Sequence, residues 1–475
     1  HYALAYTAET WLDDPGTAVS GQARFDRTTK RSTFVVHGDR LDLTGLRQRV
    51  LTLFAGVKPV REVLDIVRGG EISDLRLSSS GHSLEEIARG LKMDALLQEG
   101  QVLVPDPKLD LNRIRGHLSI DNRVLRGRGL SARLHESTAW NGTLSLAMNE
   151  QVRPFSLSTE VSGPAGQLPP ILRQSVESRA FLRELARVSD VQGTLTGTLG
   201  LNRDEDHDME VHVQARDLNL RARYEPLPHV LQASGGRFEY TDSALSGQDI
   251  ELRFGQSRIQ DLSFELALKP SLDLDYDVQG ADLKWRELFP WLAGSTFCRT
   301  RLPGLDTVNG SVQVGTMTFS GPPTNLDQCS YQAQGSLEGL VLHQKDLPGP
   351  LHLESGTFDL QPGQLQMERC RIRFLDGQGR LNGRVSTGSG SAPEFDLSFE
   401  GSLGSRAGEW VMTQAELPPE LKLQSPVQVS EARVRRTAGG FDCALQVLVN
   451  GRVQLDLNLT RSPDALDISR LHIHD

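Results

Sequence analysis

The chain has 475 residues, 24% of them charged and 38% hydrophobic, with a formal net charge of −10. That length suits about three ordinary domains or one elongated body, and the acidic balance argues against nucleic acid or another polyphosphate as partner. Aromatics are only 6%, so the apolar surface is mainly Leu and Val, which leans away from stacking on bases or sugars. The longest apolar run, near Val50–Val57, is far short of the ~18–20 residues that span a bilayer. The first residue is His1, not Met, which reads as a processed form or an excised piece.

In chain order, residues 1–43 read as strands: Tyr2–Tyr6, Ala23–Phe25, Ser32–Val36 and Leu41–Leu43. Thr44 is a cap for a helix over Leu46–Phe54, and Pro59 opens a second through Val67 that Gly69-Gly70 ends. Ser83 and Glu86 have capping-box spacing before a short helix that Gly90 stops. From Val102 strands dominate, with Asn141-Gly142 as a hairpin turn. Pro169-Pro170 opens the longest helix, Ile171–Val188. Strands return at Val191, a short helix covers Trp285–Leu292, a new round starts at the turn Asn309-Gly310, and another short helix sits near Trp410–Leu417.

Period-2 alternation runs through most of this length. Leu262/Phe264/Leu266/Leu268 and Leu272/Leu274/Tyr276/Val278 each put four apolar side chains on one face. Glu265, Asp273, Asp275 and Asp277 take the other, as a sheet wet on one side requires. Leu397 and Phe399 alternate likewise, and Phe441–Thr460 reads as a hairpin about Asn450-Gly451 with Leu445, Val447, Leu455 and Leu457 on one face. Lines beginning near Leu109, Leu227 and Leu347 can be laid over one another: a Gly opens a strand, a turn follows, and a strand ending in Leu or Phe closes the unit. The repeat is roughly 100 residues long and predicts stacked units sharing one surface. The divisions are a mixed β/helical segment (1–100), a first β round ending in a helix (101–190), a second (191–300), a third (301–420) and a partial one (421–475).

Residues that carry chemistry are sparse. His472 and His474 share a strand face without a third ligand nearby in sequence, so a solvent face is the better reading than a metal pair. Asp204–Asp208 lacks the Gly and distal Glu of a calcium loop, and Gly127-Arg-Gly129 is too short to cradle phosphate. Asn141-Gly-Thr143 and Asn309-Gly-Ser311 fit the glycosylation pattern but read as Asn-Gly turns, and Asn458-Leu-Thr460 lies inside a strand. No nucleophile elbow, HExxH or CxxC is present, so neither an enzyme nor a cofactor is expected. Cys370 and Cys443 fall in register with apolar neighbours, whereas Cys298 and Cys329 lie in loop-like sequence and are candidates for a disulfide in an oxidising compartment.

The aligned repeats, their Leu-Pro openings at Leu227-Pro228 and Leu347-Pro348, and lines such as Gly383-Arg-Val and Phe395-Asp-Leu-Ser-Phe-Glu-Gly401 resemble the AsmA-like family of TamB- and YhdP-type envelope proteins. The Pro-Pro-Ile-Leu-Arg helix followed by Val191-Gln-Gly-Thr-Leu-Thr-Gly-Thr-Leu is similar to that family too, and the likeness covers most of residues 40–475. It implies a mainly β fold: an elongated, twisted antiparallel sheet of repeated units curled into an open apolar groove, with a few short helices. It implies non-enzymatic phospholipid transport in the periplasm of a Gram-negative cell, inner-membrane anchorage of the full-length protein, and protein partners in both membranes. The rival within the same envelope is an assembly factor that holds nascent outer-membrane protein through exposed β-edges. The groove candidates are Leu262, Phe264, Leu266, Leu272, Leu274, Tyr276, Val278, Leu397, Phe399, Leu445, Val447, Leu455 and Leu457. An acyl chain of some sixteen carbons gains roughly 12 kcal/mol by leaving water, at about 0.8 kcal/mol per methylene. The same alternation describes a sandwich or barrel packed by its own side chains; the repeat and the resemblance favour the open groove.

Overall fold

The computed structural model describes residues 2–10, 17–45, 47, 67–105, 108–148, 154–176, 178–204, 209–294, 304–323, 328–386, 394–414, 426–437, 440–449, 453–461 and 466–474. The fold is mainly β, antiparallel, with a few short helices. It divides into two compact units, His1–Ser175 with Gln192–Asn219 and Arg237–Asp242, and Val176–Val191 with Leu220–Gly236 and Ser243–Asp475.

The first unit is an antiparallel meander. Strands β1 (Tyr2–Thr10), β2 (Thr17–Asp26), β3 (Arg31–Asp42), β4 (Val67–Gly81), β5 (Lys92–Pro105), β6 (Lys108–Asp121), β7 (Val124–Leu134), β8 (Ser137–Ala147), β9 (Phe155–Pro164) and β10 (Val188–Arg203) each pair with the next. Helix α1 (Leu84–Arg89) joins β4 to β5. Ser83 accepts from the Glu86 N–H at 3.2 Å, and the Glu86 carboxylate accepts from the His82 N–H at 2.7 Å, a capping box shifted by one residue. Gly90 ends the helix, as its sequence predicts. The helices expected over Leu46–Phe54 and Pro59–Val67 lie outside the described residues, apart from Val67 and Arg47.

Strands β11 (Glu210–Tyr224) and β12 (Leu231–Thr241) give residues to both units. The second unit continues with β13 (Ala244–Phe254), β14 (Ser257–Ala267), β15 (Asp273–Val278), β16 (Ala281–Lys284), β17 (Leu305–Gly321), β18 (Ser330–Gln344), β19 (Leu351–Gln361), β20 (Gln364–Phe374), β21 (Gly377–Ser386), β22 (Glu394–Leu403), β23 (Val427–Thr437), β24 (Gly440–Val449), β25 (Val453–Arg461) and β26 (Leu466–His474). These are again paired antiparallel in order, with β15 and β16 sharing the space between β14 and β17.

The recurrence is 120 residues long, not roughly 100. Strands β7, β13 and β20 begin at Val124, Ala244 and Gln364, and the strands after them at Ser137, Ser257 and Gly377. The short helices keep the same interval: Ala165–Gln167 running into α2 (Leu168–Ser175), then α4 (Trp285–Gly294) and α5 (Ser405–Gln414). A third helix, α3 (Arg179–Ala186), follows α2. The single helix expected over Ile171–Val188 is therefore two, because Ser178 starts a new one by accepting from the Phe181 N–H at 3.5 Å. Helix α5 starts five residues before the expected Trp410, since Asp376, thirty residues back, accepts from the N–H groups of Arg406 and Ala407 at 3.0 and 2.8 Å.

Bulges sit at repeat-equivalent places. Gly129, Asp249 and Arg369 all hold φ between 53° and 58°, inside β7, β13 and β20. A left-handed residue there inserts one extra position into the strand and bends it. Asn141-Gly142 and Asn309-Gly310, expected as hairpin turns, are also interruptions within strands, β8 and β17: Asn141 has φ 54° and Gly310 φ 107°. A dipeptide that tolerates positive φ serves a bulge as readily as a turn.

Each round ties its hairpin to the following helix. In the first unit the Ser137 hydroxyl donates to Gln167 at 2.7 Å. In the second, the buried Glu287 carboxylate of α4 accepts from the N–H groups of Gln256 and Ser257, at 2.8 and 3.0 Å, and from the Ser257 hydroxyl at 2.6 Å. At Asp376 the polarity is reversed, with the acid on the hairpin and the donors on the helix. Removing a buried carboxylate that satisfies three donors costs more than removing an exposed cap. Glu287→Ala is expected to lose about 3 kcal/mol of unfolding free energy and Asp376→Ala about 1 kcal/mol, read from urea midpoints.

Candidate apolar binding face

In-register pairing carries apolar side chains from strand to strand. In the first unit one row reads Val36, Leu77, Met93, Ile120, Leu125, Leu146 and Phe155, one residue from each of β3 to β9, and every member is half-buried. Beyond Phe155 its partner on β10 is Arg203. In the second unit a row reads Leu262, Val278, Met317, Ala333, Leu360, Leu365, Val385 and Phe395, and here too the next partner is an arginine, Arg436. A parallel row runs Cys370, Leu381, Phe399, Ala432, Leu445, Leu457 and Leu471.

The expected groove residues of the second unit fall on this face. Phe264 pairs with Tyr276, Leu266 with Leu274, Leu445 with Leu457, and Val447 with Leu455; Leu397 faces Val434. Leu272 lies just before β15. Val278 and Val447 are buried, at 1% and 5% exposure, and the other eleven are half-buried. A sheet sealed against a second sheet buries such residues completely. Along the opposite face Glu265 pairs with Asp275, and Arg433 makes a two-pronged bond to Asp396 at 2.9 and 2.7 Å, which holds that carboxyl below its usual range.

The face is closed beneath α4. Phe289 of α4 inserts beside Val278, Ala281, Val308, Val312, Val314, Leu340 and Leu353, so the protein fills its own apolar surface beneath that helix. A smaller cluster in the first unit gathers Leu43, Leu97 and Ile114. Beside the Phe289 cluster, with Tyr276 packed against it, runs an aromatic strip that extends the expected Phe264 and Tyr276 to Phe319 and Tyr331 on four neighbouring strands, with Tyr276 stacked on Phe319 at 5.3 Å. Only the pairing register brings these rings together, so no local signal marks them.

The dryness of this face acts on the titratable groups within it. Burial raises the Tyr276 phenol and the Cys443 and Cys370 thiols above their ordinary values. Cys329 is buried and its thiol donates to the Pro322 carbonyl at 3.2 Å; its expected partner Cys298 lies outside the described residues, as do Glu205–Asp208. His472 and His474 stack at 6.0 Å, and among the described residues no cluster of three His, Cys, Asp or Glu side chains is placed to hold a metal. Nor, among them, is any helix long and apolar enough to cross a membrane.

No family model matches the chain, and no curated protein or solved structure matches it.

Tyr224 gives a pH test of local docking. Its hydroxyl donates to Glu184 of α3 at 2.7 Å, and burial, then that bond, pushes its pKa up to about 12. The protonated phenol is the form the fold favours, so its contribution is complete below the unfolded value of about 10 and is lost as pH rises from there to about 12. Absorbance at the tyrosinate band is expected to show a late-titrating component that Tyr224→Phe removes. Exchange of the Glu225 N–H, bonded to the Arg187 carbonyl at 3.0 Å, should accelerate over the same interval beyond the intrinsic rise.

Proposed function

We propose that this chain is a non-enzymatic lipid carrier of the bacterial envelope, holding the acyl chains of phospholipid along the apolar face of its sheet. The observation that carries the reading is the combination of continuity and partial exposure. Eight strands contribute one in-register row from Leu262 to Phe395, and most of that row keeps surface within reach of solvent. Such a strip offers many equivalent apolar contacts and few polar ones. A chain of methylenes gains about 0.8 kcal/mol for each that it buries there, with no single position dominating, which suits sliding.

The resemblance of the repeats to AsmA-like proteins supports the same reading, and with it work between the two membranes of a Gram-negative cell and inner-membrane anchorage of the full-length protein. Arg203 and Arg436, each opposite a row-ending Phe, suit the point where an apolar chain gives way to an anionic headgroup. The sparse aromatic content and the negative net charge agree with a ligand held by its tails.

Photo-crosslinking residues placed at Phe264 and Leu274 are expected to capture phospholipid during expression in a Gram-negative host, and residues at Glu265 and Asp275 are expected to capture none. Phospholipid should also copurify with the unmodified protein and be identified by mass spectrometry. Protein without phospholipid, and crosslinks from Phe264 and Leu274 only to polypeptide, would contradict the carrier and favour the assembly factor.

A further inference from the structure

The apolar face carries glycines opposite its largest side chains. Gly127 faces Leu144, Gly247 faces Phe264, and in the next round the order reverses, with Met367 facing Gly383. Positions 127, 247 and 367 are repeat equivalents, so each round has one small and one large residue in directly opposed places at the same level. At Gly247 the reason is visible. A Cβ there would lie 2.4 Å from Cε1 and 3.0 Å from Cζ of Phe264, and 2.6 Å from Cδ1 of Ile250. Real Cβ contacts essentially never come so close, and all three atoms belong to side chains, not to the backbone. The Phe264 ring therefore lies across the Cα of Gly247, in the space that a side chain would occupy.

This geometry is not demanded by the backbone. Gly247 is outside the left-handed region, unlike the bulge residue Asp249 two positions on. At Gly335, by contrast, a Cβ would also meet the Gln313 carbonyl oxygen at 2.1 Å, so backbone crowding alone explains that glycine. What Gly247 does is let an aromatic side chain lie low. A ring lying down on the sheet adds apolar area without adding height, whereas a ring pushed upright takes the space above the sheet.

We propose that Gly247 is a specificity-determining residue: by letting Phe264 lie flat, it sets the clearance above the apolar face and admits an acyl chain across β13 and β14. The inference rests on the lipid-carrier reading and names the residue that limits the depth of the bound chain. The arrangement is particular to this round: a Cβ at Gly127 would meet Leu130 of its own strand at 2.7 Å, and one at Gly383 would meet the Asp396 carbonyl oxygen at 2.2 Å. The role belongs to the Gly247–Phe264 pair and not to either residue alone, so a second substitution at Phe264 should undo the effect of the first.

The experiment measures uptake of tritiated palmitoyl phospholipid from phosphatidylethanolamine–phosphatidylglycerol vesicles by the full chain, with folding checked by circular dichroism and thermal midpoint. Gly247→Leu is expected to lower bound lipid about tenfold, the loss that follows when about two methylenes of contact are displaced. Gly247→Ala should give a smaller loss, and Gly247→Ala with Phe264→Leu should return uptake to within about twofold of the unmodified chain. If Gly247→Leu fails to fold, the Ala variant and its double variant decide alone. Uptake unchanged in folded Gly247→Leu or Gly247→Ala overturns the clearance role while leaving the carrier standing, as does a double variant no better than the Ala variant. An unmodified chain that takes up no lipid overturns both.

Discussion

The structure depends on one constraint, the parity of apolar residues along each strand. Side chains alternate between faces, so a one-residue slip transfers a whole apolar set to the wet side. Bulges impose that slip, and the sequence compensates for it. In β7 the apolar face holds Leu125 before Gly129 and Leu130, Ala132 and Leu134 after it, so the spacing changes from odd to even at the left-handed residue. In β13 the change falls at Asp249, between Leu245 and Ile250; in β20 at Arg369, between Met367 and Cys370. Holding Asp or Arg at positive φ costs on the order of 1 kcal/mol, and the coherent face on both sides of the bend offsets it.

That constraint explains what was legible. Strand content, antiparallel order, the hairpin of β24 and β25, the helix at Trp285 and the cap of α1 follow from alternation and capping spacing. The face of Leu262, Phe264 and Leu266 was readable from the same alternation. The bulges were not, because a Gly or Asp with a parity change beside it looks like a turn between two shorter strands. Asn141-Gly142 and Asn309-Gly310 look like turns for that reason, whereas both lie inside long strands; the 120-residue period itself is legible in the openings at Leu227 and Leu347.

Other features needed contacts distant in sequence. The start of α5 is fixed by Asp376 and that of α3 by a local Ser178, and only the second leaves a nearby signature. The aromatic strip joins four strands whose rings no window of sequence brings together. The helix–hairpin ties use Gln167 and then Glu287 on the helix side and Asp376 on the hairpin side, so the repeat preserves the contact without preserving the residue or its side.

Continuous apolar rows, a charged opposite face and helices tied at fixed intervals describe a surface built to stay apolar without being sealed. The most direct measurement is a high-resolution cryo-electron map of the protein after incubation with phospholipid vesicles. The account predicts tubular density, of acyl-chain width, lying against Leu360, Leu365, Val385 and Phe395, beyond the cluster under Phe289. Side chains or backbone of the protein itself packed across those four residues, with no room for a ligand, would contradict it.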